Sequence, residues 1–320
     1  MRTHQPSRAL RAARGATILL TVTAAAAATL ALARPAPATG AAGAAGAADV
    51  IDTSTVQRRY GAPVRVGNGL ARTYVALDRR RGNVPVEVGV ALDERALDGL
   101  PAPNPHAAAA ANGGGHEHLD NHVYLLDLPA GGVAPYRFVE LDWNPGGHEP
   151  PGVYDEPHFD FHFYTVPEAE RAAVVPSDPE FQRKADNLPP EGERPPFYAM
   201  AAPPGAPAPG VPLMGVHWID TRSPELQKMF GNPDAWRPFT TTFIYGSWNG
   251  GFTFLEPMIT RAHILAKKTA ADPAVRDQVI PVPTFPSHRA AGYYPSAYRI
   301  AWDAQDREYR IALTQLAWRE

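Results

Sequence analysis

The chain contains no cysteine, and this absence excludes several structures and chemistries. None of its 320 residues can form a disulfide, a thiol nucleophile, a lipoprotein anchor or a sulfur-ligated zinc site. A metal ion would have to be held by histidine, aspartate, glutamate or backbone oxygen. The sequence also lacks a phosphate-binding loop, a nucleophile elbow, an H-E-x-x-H pair and a dinucleotide fingerprint. Motifs therefore identify no reaction and no catalytic residue.

Excess positive charge is also missing. The formal net charge is −3, and four of the arginines lie in the first sixteen residues, where there is no acid. Removal of that segment would make the remainder four units more negative. Because nucleic-acid binding depends on basic surfaces that neutralise phosphates, we expect no nucleic acid as a partner.

The N-terminal segment has the pattern of a secretory signal peptide. A basic region, Met1–Ala16, precedes an almost wholly small and apolar run, Thr17–Ala33, and Ala31 and Ala33 provide the small residues that cleavage requires. The run is slightly shorter than the roughly 20 apolar residues of a spanning helix. We therefore predict cleavage after Ala33, a secreted or periplasmic location and no stable membrane anchor after cleavage.

Composition then divides the chain into three parts. Residues 1–33 form the predicted signal peptide, residues 34–55 a disordered linker of alanine, proline and glycine, and residues 56–320 a single β-rich domain. Within that domain, Pro101–Gly115 and Pro189–Val211 are rich in proline, alanine and glycine, and we expect long loops there.

Short runs of β-branched and aromatic residues predict a mainly β fold, with a β sandwich or barrel-like antiparallel sheets and a few short covering helices. We expect Ala71–Leu77 and Val84–Ala91 to form a hairpin, with Pro85 at a sheet edge or a strand start. His122–Leu128 and Tyr136–Trp143 predict a second hairpin. The remaining predicted strands are Phe159–Thr165, Leu213–Ile219, Thr240–Tyr245, Gly251–Leu255, Tyr298–Trp302 and Tyr309–Leu316, with a tight turn at Trp248–Gly251.

Helical signals are few. Met258–Lys268 gives the strongest one, because its apolar residues share one face and its lysines suit a helix C-terminus. Shorter helices are predicted at Glu94–Leu100, Glu168–Ala173, Pro179–Asn187 and Pro224–Phe230.

The most informative segment is His158–Tyr164, where polar and aromatic residues alternate strictly. A strand would turn His158, Asp160 and His162 to one side and the phenylalanines to the core. His158 and His162 would lie roughly 13 Å apart along a regular strand, too far to share one ion. Asp160 could share an ion with either neighbour, and further ligands would come from elsewhere in the chain.

Three distant residues are candidates for those further ligands. His148 precedes the strand in a glycine-rich bend, His217 lies on another predicted strand, and Glu256 is predicted to end a third strand at a cavity mouth. The predicted metal pocket therefore comprises His148, His158, Asp160, His162, His217 and Glu256, and zinc suits such ligands. If the pocket is catalytic, the ion would lower the pKa of a bound water or polarise a carbonyl, with Asp160 or Glu256 accepting a proton.

Other interpretations of these histidines stay open at this stage. The polar side of the strand is equally typical of a solvated face or of a buried hydrogen-bonded network. His116 and His118 resemble part of a cupin-type metal pattern, but three preceding glycines favour a solvated loop for them and for His106. We expect structural roles for His263 and His288.

A rival hypothesis is a noncatalytic envelope protein. It would bind a small-molecule ligand or a partner through aromatic surface around Trp143, Trp218 and Trp248, and a homo-oligomer is compatible with it. The histidines would then be ordinary hydrogen-bonding or pH-responsive groups.

A family resemblance supports export. The runs Gly147–Pro150, Pro157–Tyr164, Met214–Trp218, Thr242–Gly246 and Glu256–Met258 resemble the TTHB-type domain of unknown function, a family of mostly exported bacterial proteins. The resemblance spans roughly Ala71–Lys268 and implies an exported single domain. It implies no reaction and no catalytic residues, so the metal pocket is inferred from the residues alone.

Overall fold

Alternating apolar and polar residues give the chain strands with two different faces, and these strands assemble into two large sheets. A computed structural model describes residues 55–103, 121–203 and 205–320. All of them belong to one unit, Ile51–Glu320. The predicted signal peptide and nearly all of the predicted linker lie outside the described residues.

Seventeen strands are present in the described part of the chain. The first seven are β1 (Val56–Tyr60), β2 (Val64–Val66), β3 (Gly69–Asp78), β4 (Val84–Asp93), β5 (His122–Asp127), β6 (Phe138–Asn144) and β7 (His158–Tyr164). The next five are β8 (Tyr198–Met200), β9 (Gly210–Val211), β10 (Gly215–Asp220), β11 (Thr241–Trp248) and β12 (Gly251–Thr260). The last five are β13 (Asp277–Pro281), β14 (Gly292–Tyr294), β15 (Ala297–Asp303), β16 (Glu308–Thr314) and β17 (Ala317–Arg319).

The predicted mainly β fold is confirmed. A seven-stranded sheet has the order β1-β3-β4-β16-β15-β13, with β2 beside β3, and an eight-stranded sheet has the order β5-β6-β7-β12-β11-β10-β8, with β9 beside β10. Every strand pair in them is antiparallel. One apolar core contains residues of both sheets, including Val88 and Ile311 from the first and Phe159 and Phe161 from the second. The arrangement is that of a β sandwich.

Both predicted hairpins and the tight turn are confirmed. β3 pairs with β4, and β5 pairs with β6. Pro85 is the second residue of β4, which lies between β3 and β16, so it marks a strand start and not a sheet edge. Asn249 and Gly250 both have positive φ in the two-residue connection between β11 and β12, as a primed hairpin turn requires.

Helices are short, and several predictions of them need correction. The described chain contains α1 (Glu168–Ala172), α2 (Phe181–Asp186), α3 (Arg261–Thr269) and α4 (Pro273–Arg276). Met258–Thr260 belongs to β12, because these residues pair with β7 and β11 before the chain turns into α3 at the Thr260 cap. Glu94–Leu100 forms turns around the Asp93 side chain, and Pro224–Phe230 begins with a single 3₁₀ turn, Pro224–Leu226.

The predicted loops are also only partly right. Pro189–Val211 contains β8 and β9, both of which extend the eight-stranded sheet at β10. Most of Pro101–Gly115 lies outside the described residues. In the described ranges, no helix is both long and apolar enough to span a membrane.

Candidate metal centre

The outer face of the eight-stranded sheet is polar yet buried. Across neighbouring strands Asp142 pairs with Asp160 and Glu140 pairs with His162, while Asn144 pairs with His158. These side chains are at most 3% exposed. They are covered by three parts of the chain: the bend containing His148 and Tyr154, helix α1, and the segment containing Leu226 and Phe239. Buried ionisable groups of this density require specific partners.

The first triad comprises His148, His158 and Asp160, and their side chains can supply one ligand atom each within 4.8 Å of one another. The Nε2 atom of His158 lies 3.2 Å from Oδ1 of Asp160, and Nε2 of His148 lies 3.4 Å from Oδ2. Asn144 orients the carboxylate by donating an amide hydrogen to Oδ2 at 2.7 Å. His148 reaches the strand because its backbone bridges to Tyr154 and closes the bend.

Backbone carbonyls fix the orientation of both imidazoles of the first triad. Nδ1 of His158 donates to the Glu156 carbonyl at 2.6 Å, and Nδ1 of His148 donates to the Glu149 carbonyl at 2.7 Å. In a neutral imidazole a proton on Nδ1 leaves the lone pair on Nε2. In their neutral forms both imidazoles therefore turn the Nε2 lone pair towards the Asp160 carboxylate, and a hydrogen bond from Nδ1 to a carbonyl is typical of metal-binding histidines.

The charge of the first triad follows from its burial and its close contacts. Burial raises the pKa of Asp160, but the adjacent His158 and His148 outweigh this effect and hold that pKa well below its ordinary range. Burial lowers the pKa of His148, but contact with Asp160 outweighs burial and raises it overall. Asp160 is thus an anion at neutral pH, and it faces two nitrogen ligands.

The second triad comprises His162, His217 and Glu256, whose ligand atoms also lie within 4.8 Å of one another. Nε2 of His162 lies 3.5 Å from Oε1 of Glu256, and Nε2 of His217 lies 3.9 Å from Oε2. His217 is on β10 and Glu256 on β12, with Gly246 of β11 opposite His217. The Phe254 ring occupies the space above Gly246 and contacts His217.

Two further acids, Glu140 and Asp142, approach His162 from β6. Glu140 and Asp142 are not among the predicted site residues, although the alternation of Phe138–Asn144 places both of them on the side opposite Val139 and Leu141. Arg171 of α1 forms an ion pair with Glu140. Asn121 donates to Oδ2 of Asp142 at 3.2 Å.

The carboxyl groups on this face lie close enough together to raise one another's pKa. Burial and the neighbouring Asp160, Asp142 and Glu140 raise the pKa of Glu256 well above its ordinary range. Burial raises the pKa of Glu140 to about 7, although Arg171 opposes the shift. A bound cation would relieve this repulsion and stabilise the charged forms.

The six predicted pocket residues do come together, with two corrections. They form two triads along β7 and not a single pocket, because His158 and His162 are four strand positions apart. Glu256 lies in the middle of β12 and is buried, since that strand continues to Thr260. His106, His116 and His118 lie outside the described residues. His263 contacts Gln278, which agrees with the structural role expected for it.

The aromatic surface of the rival hypothesis is not present as predicted. Trp143 and Trp218 are 4% and 2% exposed and belong to the shared core. Trp143 packs against Phe159, and Trp218 packs against Phe252. The prediction that Trp143 and Trp218 form part of a docking surface is therefore wrong.

Comparisons of the chain with protein-family models, with curated proteins and with solved structures found no match. The resemblance to the TTHB-type family thus stays a prediction from the sequence. What the arrangement can do follows from the side chains themselves.

Proposed function

We propose that this protein binds a divalent metal ion of the zinc class at the first triad. The observation that supports this most directly is the contact between His158 and Asp160. Nε2 of His158 and Oδ1 of Asp160 are buried and 3.2 Å apart, within ion-pair distance, but their relative orientation does not meet the geometry of a hydrogen bond. Two such atoms facing each other in a protein interior are costly unless a cation lies between them.

The spacing suits tetrahedral coordination. Zinc binds histidine nitrogen at about 2.0–2.1 Å and carboxylate oxygen at about 2.0–2.2 Å, so neighbouring ligands of a tetrahedral ion are about 3.3 Å apart. The contacts from His158 to Oδ1 of Asp160, at 3.2 Å, and from His148 to Oδ2, at 3.4 Å, are each close to that spacing, although they reach different oxygens of the carboxylate. Three protein ligands leave a fourth position for water or a ligand from solution, and His148, the most exposed member of the triad, marks the side from which they would enter.

A proton on Nε2 of His148 is the alternative to a cation, and contact with Asp160 raises the pKa of His148 and so favours that proton in the metal-free protein. The ring centroids of His148 and His158 are 4.7 Å apart, and His158 is fully buried. Two imidazolium ions at that separation would repel each other and would lose their hydration. One divalent ion supplies the same charge and uses both Nε2 lone pairs.

Zinc titration of the chelator-treated protein tests this function. We expect the wild type to bind zinc and the His158→Gln variant to lose the ion held by the first triad, because glutamine offers no imidazole nitrogen. His263→Gln is the matched control, since His263 contacts Gln278 and belongs to neither triad. A wild-type protein without zinc affinity, or a His158→Gln variant with unchanged affinity and stoichiometry, would show that the first triad is not a metal site.

We also propose that the chain is exported. Support comes from the basic and apolar N-terminal runs and from the small residues at Ala31 and Ala33. Expression in a bacterium with fractionation and mass spectrometry should give an exported chain beginning at Arg34. Leu19→Arg together with Leu20→Arg should retain the full-length chain in the cytoplasm, whereas unprocessed wild type in the cytoplasm would contradict export.

A further inference from the structure

The second triad also has features of a metal site. Oε2 of Glu256 is buried without a hydrogen-bond partner, although Nε2 of His217 lies 3.9 Å away and Nε2 of His162 lies 3.5 Å from the other carboxylate oxygen. The carboxylate is 2% exposed. A buried oxygen of this kind, set between two imidazoles, is typical of an oxygen ligand whose ion is not present.

No ion at the first triad can satisfy these atoms. His158 and His162 are separated by roughly 13 Å along β7, and metal–nitrogen bonds are about 2.0–2.1 Å long. Asp160 lies between the two histidines on the strand, but its two carboxylate oxygens contact His158 and His148. Glu256 therefore needs a cation of its own.

The neighbouring acids Glu140 and Asp142 are contacted by residues that belong to neither triad. Arg171 pairs with Glu140, and Asn121 donates to Asp142, whereas the described basic residues form no ion pair with Glu256 apart from the two histidines. Glu140 and Asp142 also lie against His162, so this imidazole has carboxyl groups from both β6 and β12 beside it. Two histidines and one carboxylate form the ligand set of many transition-metal sites with open positions.

We propose that the protein holds a second divalent transition-metal ion, bound by His162, His217 and Glu256, so that each chain carries two independent ions on one face of the sheet. This inference rests on the proposed function, because it extends metal binding along the same strand. His217 is the most exposed member of the second triad, at 17% of its side chain, and its imidazole is the side from which the ion enters.

Metal stoichiometry distinguishes the two sites. Purified full-length protein would be stripped with a chelator, dialysed against zinc and measured by elemental analysis, with circular dichroism to verify folding. The variants are His148→Ala and His217→Ala, because these are the most exposed ligands of each triad and their truncation disturbs packing least. His288→Ala, which removes a ring stacked on Tyr294 away from both triads, is the control.

We expect two zinc ions in the wild type and in the control, one in each single variant and none in the double variant. Cobalt titration should give two sets of absorption bands, of which each single variant loses a different one. One ion in the wild type, lost only with His148→Ala, would overturn the second site and leave the proposed function intact.

The remaining outcomes are equally distinct. One ion lost only with His217→Ala would overturn the proposed function at the first triad and leave the second site. One ion lost with either variant would show a single shared site and overturn independent binding. No zinc in the folded wild type would overturn both proposals.

Discussion

His217 and Glu256 approach to 3.9 Å although they lie on strands that are not neighbours, and the residue opposite His217 on the strand between them, Gly246, carries no side chain. A Cβ atom at position 246 would meet the Phe254 ring at 2.0 Å. The ring is closely packed on all sides, with His162, Tyr164 and His217 in contact. The packing of the second triad thus depends on the absence of a side chain at position 246.

Gly246→Ala should therefore damage the second triad selectively. We expect Phe254 to be displaced towards His217, with a loss of stability of about 1–3 kcal/mol from overpacking and a loss of one zinc ion per chain. Chemical denaturation and metal analysis measure the two effects. Gly192→Ala is the control, since Gly192 has open space around it and an ordinary φ. Full zinc content in Gly246→Ala would contradict the role given to this glycine.

The orientation of Asp160 depends on Asn144, and this gives a second prediction. Asn144→Ala removes the 2.7 Å hydrogen bond to Oδ2 and leaves the carboxylate free to rotate away from His158. Loss of a hydrogen bond that orients a metal ligand typically weakens metal binding by about 10–100-fold. We expect this loss for the first ion only, measured by competition with a chelating dye.

The control for Asn144→Ala is Asn187→Ala. Asn187 donates to Asn249 at the surface, far in sequence from either triad, so its truncation should leave zinc affinity unchanged. Equal affinities in wild type and Asn144→Ala would show that Asp160 is held by other groups.

Local patterns predicted the strands and the central polar face, because alternation over His158–Tyr164 depends only on neighbouring residues. The spacing of His158 and His162 already excluded a shared ion, but which distant residues join each of them was not predictable in the same way. It depends on the strand order β6-β7-β12-β11-β10, which brings Glu140 to one side of His162 and Glu256 to the other. Contacts between strands that are distant in the sequence leave no periodic signal in it.

Glu256 and the Met258–Lys268 segment show the same limit. The apolar spacing of Met258–Lys268 indicates a helix. Met258–Thr260 nevertheless pair with two strands and extend β12, because sheet pairing outweighs local helix propensity. The strand extension moves Glu256 from a strand end to the buried centre of the sheet. Pairing between strands, and not local helix propensity, therefore determines where Glu256 lies in the site.

The ion pair between Arg171 and Glu140 should be essential for folding stability. Arg171→Met would leave Glu140 buried without its cation, which typically costs about 3–5 kcal/mol. Addition of Glu140→Gln should recover part of that loss, because the uncompensated charge is then removed. Denaturant titrations of both variants in chelator measure the effect.

Arg183→Met is the matched control for Arg171→Met. Arg183 pairs with Glu180 on the exposed face of α2, where solvent weakens the attraction, and we expect no measurable change. A loss of stability in Arg171→Met no larger than in this control would contradict the buried ion pair.

Stability of the metal-free protein should fall as pH rises from about 5 to 7.5. Glu140 loses its proton near 4.5 when unfolded but near 7 when folded, so the folded state binds more protons between these values and is favoured at the lower pH. The raised pKa of His148 acts in the same direction above 6.5, whereas the depressed pKa of Asp160 stabilises the fold throughout this range. Denaturant midpoints in chelator measure the slope, and Glu140→Gln should make it shallower.

Zinc should reverse that dependence. Its ligands bind as neutral imidazole and carboxylate, so protons compete with the metal and stabilisation by zinc grows as pH rises. We expect the difference between the midpoints with zinc and with chelator to be small near pH 5 and largest near pH 7.5. A difference that is independent of pH would mean that the added zinc acts away from these titrating groups, because binding at either triad must displace protons from them.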